Sequence, residues 1–157
     1  NGFSVSKIRA SDGTMIGTYG VGALPVAIAF DGANMWVTNA ANGTVTKLRA
    51  SDGVSLGTFA VGGWPVGAAF DGTNMWIANQ GGNTVTKLQA STGATLGTYA
   101  AGQAPTTVAF DGTNIWVANN FSDNVSKLRV SDGATLATCD SDFARFQGLR
   151  WMSPLRP

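Results

Sequence analysis

Short apolar runs alternate with turn residues along most of the chain. The runs hold four to seven residues and are bounded by Gly, Asp, Asn or Ser, and the third run of each unit is rich in β-branched residues. Runs of this length and composition favour strands over helices. In one unit the predicted strands are Val26–Phe30, Met35–Thr38, Thr44–Arg49 and Ser55–Val61.

The same unit recurs with a period of 40 residues. The Phe-Asp-Gly turn at 30–32 returns at 70–72 and 110–112, and Trp36 returns as Trp76 and Trp116. In this turn the Asp can cap its own backbone and the Gly accepts a positive φ. Four strands per 40-residue repeat predict an all-β fold of antiparallel β-propeller blades. A β-solenoid is the competing architecture, but its coils are shorter and rarely hold three turns.

The repeat divides the 157 residues into one array of blades. We predict the outer strands of a split blade at 1–24, complete blades at 25–64, 65–104 and 105–144, and a diverged tail at 145–157. Arg145 stands where the repeat has Pro, and Arg150 stands where it has Phe. Residues 147–151, read one nucleotide later with suitable codons, give Arg-Ala-Phe-Asp-Gly. We therefore hypothesise that the tail is a frameshifted blade, which the gene sequence would test.

A partial ring leaves two blade faces without neighbours. Such apolar faces are larger than a soluble monomer usually exposes. Three solutions exist: a tail strand closes a four-bladed ring, two chains form an eight-bladed ring with two-fold symmetry, or the chain is a fragment. We favour self-association into a homodimer with a closed ring.

The segment Ala109-Phe110-Asp111-Gly112-Thr113-Asn114-Ile115-Trp116-Val117-Ala118-Asn119, with the Thr-Val-Thr-Lys-Leu and Asp-Gly-x-x-Leu-Gly-Thr segments of other units, is the repeat signature. Over residues 3–138 it resembles the YVTN and NHL-like bacterial propeller repeats, a group that includes virginiamycin B lyase-like proteins. The resemblance implies rings of six to eight blades that are often exported and bind proteins, peptides or carbohydrate. The lyase members imply a catalytic histidine, which this chain lacks altogether.

Composition narrows the possible functions. Charged residues are 12% of the chain and the net charge is +1, so we expect no attraction to nucleic acid or to an acidic membrane. The longest apolar runs are too short to span a bilayer. The lone Cys139 offers neither a disulfide framework nor a metal cluster, and we expect no cofactor. Scarce cysteine and low charge are consistent with bacterial export, to the periplasm or outside the cell.

The candidate site lies where the repeats differ from one another. Differences collect before each repeated Pro and after each second strand, and in a propeller these loops share the face around the channel mouth. The candidate ligand contacts are Trp64, Gln80 and Phe121, with Asn39, Asn79 and Asn119 as amide donors. The alternatives are drift in solvated loops and asparagines that satisfy turn backbone.

Two further repeated residue types have structural interpretations. The tryptophans Trp36, Trp76 and Trp116 are expected to wedge between blades, and the lysines Lys47, Lys87 and Lys127 to be surface residues with apolar stems. No catalytic constellation is present, so we expect a non-catalytic binding scaffold for a peptide or carbohydrate. The alternatives are a lyase or hydrolase fragment whose catalytic blades are missing, and a purely structural amplified repeat.

Overall fold

The computed structural model of the chain describes residues 2–139, and within that range its regular elements are β-strands and two short 3₁₀ turns, at Ala40–Asn42 and Gln80–Gly82. The strands are β1 (Ser4–Ile8), β2 (Met15–Gly20), β3 (Pro25–Phe30), β4 (Asn34–Asn39), β5 (Thr44–Arg49), β6 (Ser55–Ala60), β7 (Pro65–Phe70), β8 (Asn74–Asn79), β9 (Thr84–Gln89), β10 (Thr95–Ala100), β11 (Pro105–Phe110), β12 (Asn114–Asn119), β13 (Asn124–Arg129) and β14 (Thr135–Cys139).

These strands form three four-stranded sheets and one two-stranded sheet. We call β3–β6 blade 1, β7–β10 blade 2, β11–β14 blade 3 and the pair β1–β2 the half-blade. Within each sheet, strands adjacent in sequence pair antiparallel, as in a propeller blade. The predicted all-β fold of four-stranded antiparallel blades is confirmed, and a single chain leaves the ring open over residues 2–139.

The predicted strands of the first unit match the structure to within one residue at each end. The third strand begins and ends where the repeat places it, at Thr44 and Arg49. The second strand extends one residue further in both directions, because Asn34 and Asn39 pair with Arg49 and Thr44 at the two ends of the β4–β5 ladder. Periodicity therefore located the strands, and ladder hydrogen bonding set their ends.

The core consists of two layers, each shared by two blades. In the first layer, Trp36 and Val45 of blade 1 pack against Met75, Ile77 and Leu88 of blade 2. In the second layer, between blades 2 and 3, the equivalent residues are Trp76, Val85, Ile115, Val117 and Leu128. The tryptophans of blades 1 and 2 are completely buried, which confirms the predicted interblade wedge at both positions.

The two ends of the array lack such a layer. On blade 1, the alternate β3 residues Val26, Ile28 and Phe30 are each about half exposed, since the half-blade lacks the inner strands that would cover them. On blade 3, Trp116 is only partly buried. The diverged tail predicted at 145–157, with its frameshift hypothesis, lies outside the described residues.

Candidate functional site

Two loops of each blade meet on one face. The loop that crosses between blades and the turn after the second strand are joined by paired backbone hydrogen bonds. In blade 2, the amides of Gln80 and Gly81 donate to the carbonyls of Trp64 and Gly63, both at 3.0 Å. Blades 1 and 3 carry the same pair of bonds. We call these loops together the rim; it is made of residues 21–24, 40–43, 61–64, 80–83, 101–104 and 120–123.

The rim presents Trp64 in a constrained conformation. Its φ is 56°, in the left-handed region that bulky residues rarely adopt. Leu24 and Ala104 precede their prolines with φ values of 56° and 51°, so the crossing loop imposes this backbone whatever the side chain. The Trp64 side chain is 47% exposed, and the bond from the Gln80 amide holds its backbone. Trp64 and Gln80 are therefore brought together.

Phe121 lies one blade further along the rim. It is 73% exposed, and its amide donates to Gln103 at 3.1 Å. The Asn83 side chain links the blade 2 turn to the next crossing loop, because its Oδ1 accepts the Ala104 amide at 2.8 Å. Beside this part of the rim is a recess of about 430 Å³ lined in part by Asn120, Asp123 and Asn124.

The three candidate asparagines lie inside the rim, not on it. Asn39, Asn79 and Asn119 are at most 2% exposed. Asn79 Nδ2 donates to the hydroxyls of Thr84 and Thr86 at 3.1 and 2.8 Å, while its Oδ1 accepts the Gly62 amide at 3.0 Å. A role as exposed amide donors needs an accessible Nδ2, which this arrangement does not leave. Asn79 thereby holds the crossing loop of blade 2. Of the other candidates, Trp64 and Phe121 are exposed and Gln80 is partly buried.

A second network, which the sequence analysis did not identify, ties each tryptophan to its own turn. Asp71 Oδ1 accepts the amides of Thr73 and Asn74 at 2.8 and 2.6 Å, and its Oδ2 accepts the Trp76 indole N–H at 2.7 Å. Asp31 and Asp111 make the same three bonds. The signal was available, because the Asp and the Trp keep a spacing of five residues in every unit.

These bonds lower the pKa values of the aspartates. Partial burial raises the pKa of Asp71, but the Trp76 indole and the turn amides outweigh it and hold the pKa below its usual range. At Asp111 the Trp116 indole is the main cause, and it lowers the pKa further. All three carboxylates lie in the turn between the first two strands of a blade, where they cap the turn backbone.

The repeated lysines are not surface residues in the two closed interfaces, which corrects that expectation. Lys47 is 6% exposed and Lys87 is 7% exposed. Lys47 Nζ donates to the Ala90 carbonyl of blade 2 at 2.6 Å and lies 5.0 Å from the centroid of the Trp36 ring. Because blades cover both faces of this strand, the lysine side chain lies between two blades and contacts both.

Among the described residues, no group of three or more His, Cys, Asp or Glu side chains could hold a metal ion. In the same part of the chain, no helix is long and apolar enough to cross a membrane.

No family model and no curated protein sequence matches this chain. Solved structures match over most of it. Kuenenia stuttgartiensis hydrazine synthase has a TM-score of 0.78 and 21% identity, over 86% of this chain and 42% of that one. A streptogramin B lyase has a TM-score of 0.74 and 18% identity, over 87% and 47%. A protein of unknown function from Desulfotomaculum acetoxidans DSM 771 has a TM-score of 0.72 and 19% identity, over 88% and 49%.

The chain thus spans less than half the length of each of these structures. At these identities the likeness concerns the fold, and it confirms the resemblance to β-propeller repeats at that level.

Proposed function

We propose that the chain is a non-catalytic β-propeller scaffold that binds a peptide or carbohydrate through its rim, with Trp64, Gln80 and Phe121 as the contacts. The observation that carries the proposal is the exposure of two large aromatic side chains on loops held by paired backbone hydrogen bonds. Rigid loops that present aromatic side chains lose little conformational entropy when a ligand binds.

The chemistry of the rim favours sugars or uncharged peptide segments. Asp123 is its one charged side chain, and the other rim positions are small, amide, hydroxyl or apolar residues. Ring faces such as those of Trp64 and Phe121 stack on the C–H faces of sugars or on apolar peptide side chains, and the Gln80 amide can both donate and accept. A phosphate-rich partner would need cationic side chains, which these loops do not contain.

A glycan and peptide array probed with the purified chain tests the proposal. We expect saturable ligands whose signal falls at least about tenfold with Trp64→Ala or Phe121→Ala, since each loses a stacking surface. Ala is compatible with the loop at position 64, because Ala104 occupies the equivalent place. The control is Leu96→Ala, a residue away from the rim whose exposure is close to that of Trp64. Binding that ignores the rim variants, or no binding at all, would favour the structural-repeat alternative.

The catalytic alternative is tested by activity. The chain contains no histidine, and we infer that it does not catalyse a reaction of the lyase type. Because one structural neighbour is a streptogramin B lyase, streptogramin B is the first substrate to try. We expect no product above the uncatalysed background. Turnover that Trp64→Ala or Phe121→Ala abolishes would establish an enzyme and overturn this part of the proposal.

We also propose that two chains close the ring as a homodimer. At each existing interface a lysine ammonium reaches a backbone carbonyl 43 residues further on: Lys7 reaches Ala50, Lys47 reaches Ala90 and Lys87 reaches Val130. Ala10 is the equivalent of those acceptors on the half-blade, so a second copy's half-blade would offer its Ala10 carbonyl to Lys127.

The exposed half-blade supports the same pairing. Ile8 is 58% exposed, whereas its equivalents Leu48, Leu88 and Leu128 are at most 3% exposed. A head-to-tail contact made twice about a two-fold axis would give eight blade positions and cover both ends.

The solution mass of the assembly tests this proposal. We expect the mass of two 16.1-kDa chains by native mass spectrometry, and the mass of one chain for Lys127→Glu. Arg129→Glu is the control, because Arg129 lies on the same strand in an exposed ion pair with Asp132. A wild-type chain that remains monomeric at high micromolar concentration would overturn the dimer.

A further inference from the structure

The crossing loop of each blade has a backbone amide two residues before the repeated Pro. In blade 1 the Ala23 amide donates to Asn42 Oδ1 in the turn after the second strand. In blade 3 the Gln103 amide donates to Ser122 Oγ at 3.0 Å. Both acceptors are uncharged side-chain oxygens, one an amide carbonyl and the other a hydroxyl. These two blades thus pair the amide with a side chain of their own turn.

Blade 2 has the same amide but not the acceptor. Gly63 carries the amide, and the turn residue that would accept it is Gly82, which has no side chain. Among residues 2–139, no oxygen accepts the Gly63 amide, and Gly63 is exposed. A Cβ placed at Gly82 would lie 3.9 Å from Gly63 N, which is close enough for a hydroxyl on it to reach the amide. The donor is therefore open to an oxygen that residues 2–139 do not supply.

The same turn keeps the Trp64 side chain next to this donor. A Cβ at Gly81 would lie 3.3 Å from Trp64 Cβ, so Gly81 faces the tryptophan as Gly82 faces the amide. Both glycines are exposed, and neither has a side chain that covers its neighbour. A ligand that approaches this turn therefore meets a backbone donor and an exposed indole side by side.

Blades 1 and 3 do not bring these two features together. Leu24 and Ala104 stand where blade 2 has Trp64. Blade 3 carries its aromatic residue on the turn, at Phe121, directly before Ser122, whose hydroxyl is bonded to the crossing loop. Of the three blades, only blade 2 therefore offers an open amide beside a tryptophan.

The number of donors distinguishes a sugar from an extended peptide as the ligand. The amides of Gln80 and Gly81 already donate to the crossing loop, so this part of the rim presents no row of donors and acceptors for a peptide strand. A single donor beside a single ring suits a compact ligand with a carbonyl oxygen and an apolar face on one unit. An N-acetylated sugar has both, because its acetamido carbonyl accepts an N–H and its C–H face packs on an indole.

We propose that Gly63 and Trp64 form a subsite for the acetamido group of an N-acetylated sugar. The acetamido carbonyl accepts the Gly63 amide as the Asn42 carboxamide accepts the Ala23 amide in blade 1. The sugar ring or the acetamido methyl packs on the indole of Trp64. This inference rests on the proposed function of the rim and names its ligand class more narrowly.

Two trisaccharides that differ only in the acetamido group test the ligand class. Triacetylchitotriose has an acetamido group at the second carbon of each sugar, whereas cellotriose has the same linkages and a hydroxyl at that carbon. We expect triacetylchitotriose to bind at least about tenfold more tightly, because cellotriose lacks both the carbonyl and the methyl group. Isothermal titration calorimetry with the full chain measures both affinities.

The Gly63 amide reports the hydrogen bond directly in the NMR spectrum of the isotope-labelled chain. Its proton signal should move downfield when triacetylchitotriose is added, because a carbonyl oxygen then accepts it. Cellotriose at the same concentration should leave the signal in place. The Gln103 amide is the internal control, since Ser122 already accepts it and neither sugar should move it.

Two substitutions of one glycine separate the hydrogen bond from the shape of the site. Gly82→Ser supplies a hydroxyl to the Gly63 amide, as Ser122 does in blade 3, and should weaken triacetylchitotriose binding at least about tenfold. Gly82→Ala is the matched control, since it adds the same Cβ without the oxygen, and it should change the affinity less than about threefold. Both side chains fit the turn, because Asn42 and Ser122 occupy the equivalent position, and circular dichroism checks that both variants fold.

The outcomes separate this subsite from the rim as a whole. Ligands that bind through Trp64 and Phe121 but are indifferent to Gly82→Ser leave the proposed function standing and overturn the subsite. Equal affinities for the two trisaccharides, or equal losses with Gly82→Ser and Gly82→Ala, also overturn it. A peptide bound in place of a sugar, and weakened only by Gly82→Ser, overturns the sugar and assigns the amide to a peptide carbonyl. The absence of any ligand overturns both proposals.

Discussion

Trp76 and Trp116 hold equivalent positions in blades 2 and 3 and differ in what covers them. Both indoles donate to the aspartate five residues earlier, at 2.7 and 2.6 Å, and both rings face a lysine ammonium at 5.1 and 4.8 Å. Trp76 is completely buried under blade 3, whereas Trp116 is partly exposed. The repeat therefore fixes the position of the ring within a blade, and only the next blade buries it.

This difference separates local from interblade stabilisation. The turn, the Asp–Trp hydrogen bond and the contact of the lysine ammonium with the Trp ring form inside one unit, so even an end blade has them. The hydrophobic free energy comes from pairs of units, as in other repeat arrays, and is missing wherever a neighbour is missing. The open ends are thus preformed halves of an interface, which is why self-association is proposed there.

The largest expected contrast is between the two tryptophans themselves. Trp76→Ala should lower the free energy of unfolding by about 3–5 kcal/mol, the usual range for emptying a buried aromatic site. Trp116→Ala should cost less than half of that, because a partly exposed ring leaves a smaller cavity. Urea unfolding followed by circular dichroism, at a concentration where the chain is monomeric, measures both. Equal losses would mean that Trp116 is covered in solution.

Gly→Ala substitutions at two equivalent turns test the same comparison between a covered and an uncovered blade face by adding one methyl group. Gly13 and Gly93 share a positive φ, 73° and 81°, so Ala at either position costs about 1 kcal/mol in backbone strain. A Cβ at Gly93 would overlap the Phe59 ring of the neighbouring blade, whereas at Gly13 it meets nothing within 4 Å. Gly93→Ala should therefore cost about 1–3 kcal/mol more.

The same urea curves, fitted with a common slope, give the difference between these variants. Since the strain cancels, that difference isolates the interblade contact. A Gly13→Ala loss as large as that of Gly93→Ala would contradict an open half-blade.

How far the sequence predicts this molecule depends on which residues repeat and what they touch. The blades and strands could be predicted because Phe-Asp-Gly and Trp recur every 40 residues and apolar runs fit strands. Lys47 could not be placed correctly. A polar residue in a strand suggests a solvent face, but both faces of this strand are covered, and the acceptor is the backbone carbonyl of Ala90, which has no side-chain signature.

Some features of the candidate site could likewise be predicted from the sequence, and others could not. The rim loops could be predicted to lie side by side, because propeller connectivity brings them to one face. Their backbone hydrogen bonds join them there. The burial of Asn39 could not, since an amide at the end of a strand beside a turn is usually exposed, and its Thr44 and Thr46 partners become evident only from the strand register.

The lysines provide a third contrast. Lys87→Met removes the donor to the Val130 carbonyl and should cost about 1–3 kcal/mol, because a partly buried acceptor loses its partner. Lys127→Met should lower the stability of the monomer by less than about 1 kcal/mol, the usual size of an exposed cation–π contact, since no neighbouring blade within residues 2–139 lies beyond blade 3. Thermal and urea unfolding of both variants test this. A larger loss for Lys127→Met would contradict the open end.

The smallest difference between the closed and open ends should be in the pH dependence of stability. The Trp116 indole and the turn amides lower the pKa of Asp111. Partial burial raises the pKa of Asp71, but the Trp76 indole and the turn amides outweigh it. A carboxylate with a lowered folded-state pKa stabilises the fold fully above its unfolded pKa of about 3.9, and that stabilisation is lost as pH falls through the folded pKa.

Unfolding free energies should therefore be level from neutral pH to about pH 5 and fall below about pH 4. Asp71→Asn and Asp111→Asn should each reduce that fall, and Asp111→Asn at least as much as Asp71→Asn, because burial is the largest cause at Asp71 and only a minor one at Asp111. Urea unfolding at pH 7 and pH 3 measures the change. If only Asp71→Asn reduced the acid dependence, the Asp–Trp bond would need a covering blade to form, and the separation of local from interblade stabilisation would fail.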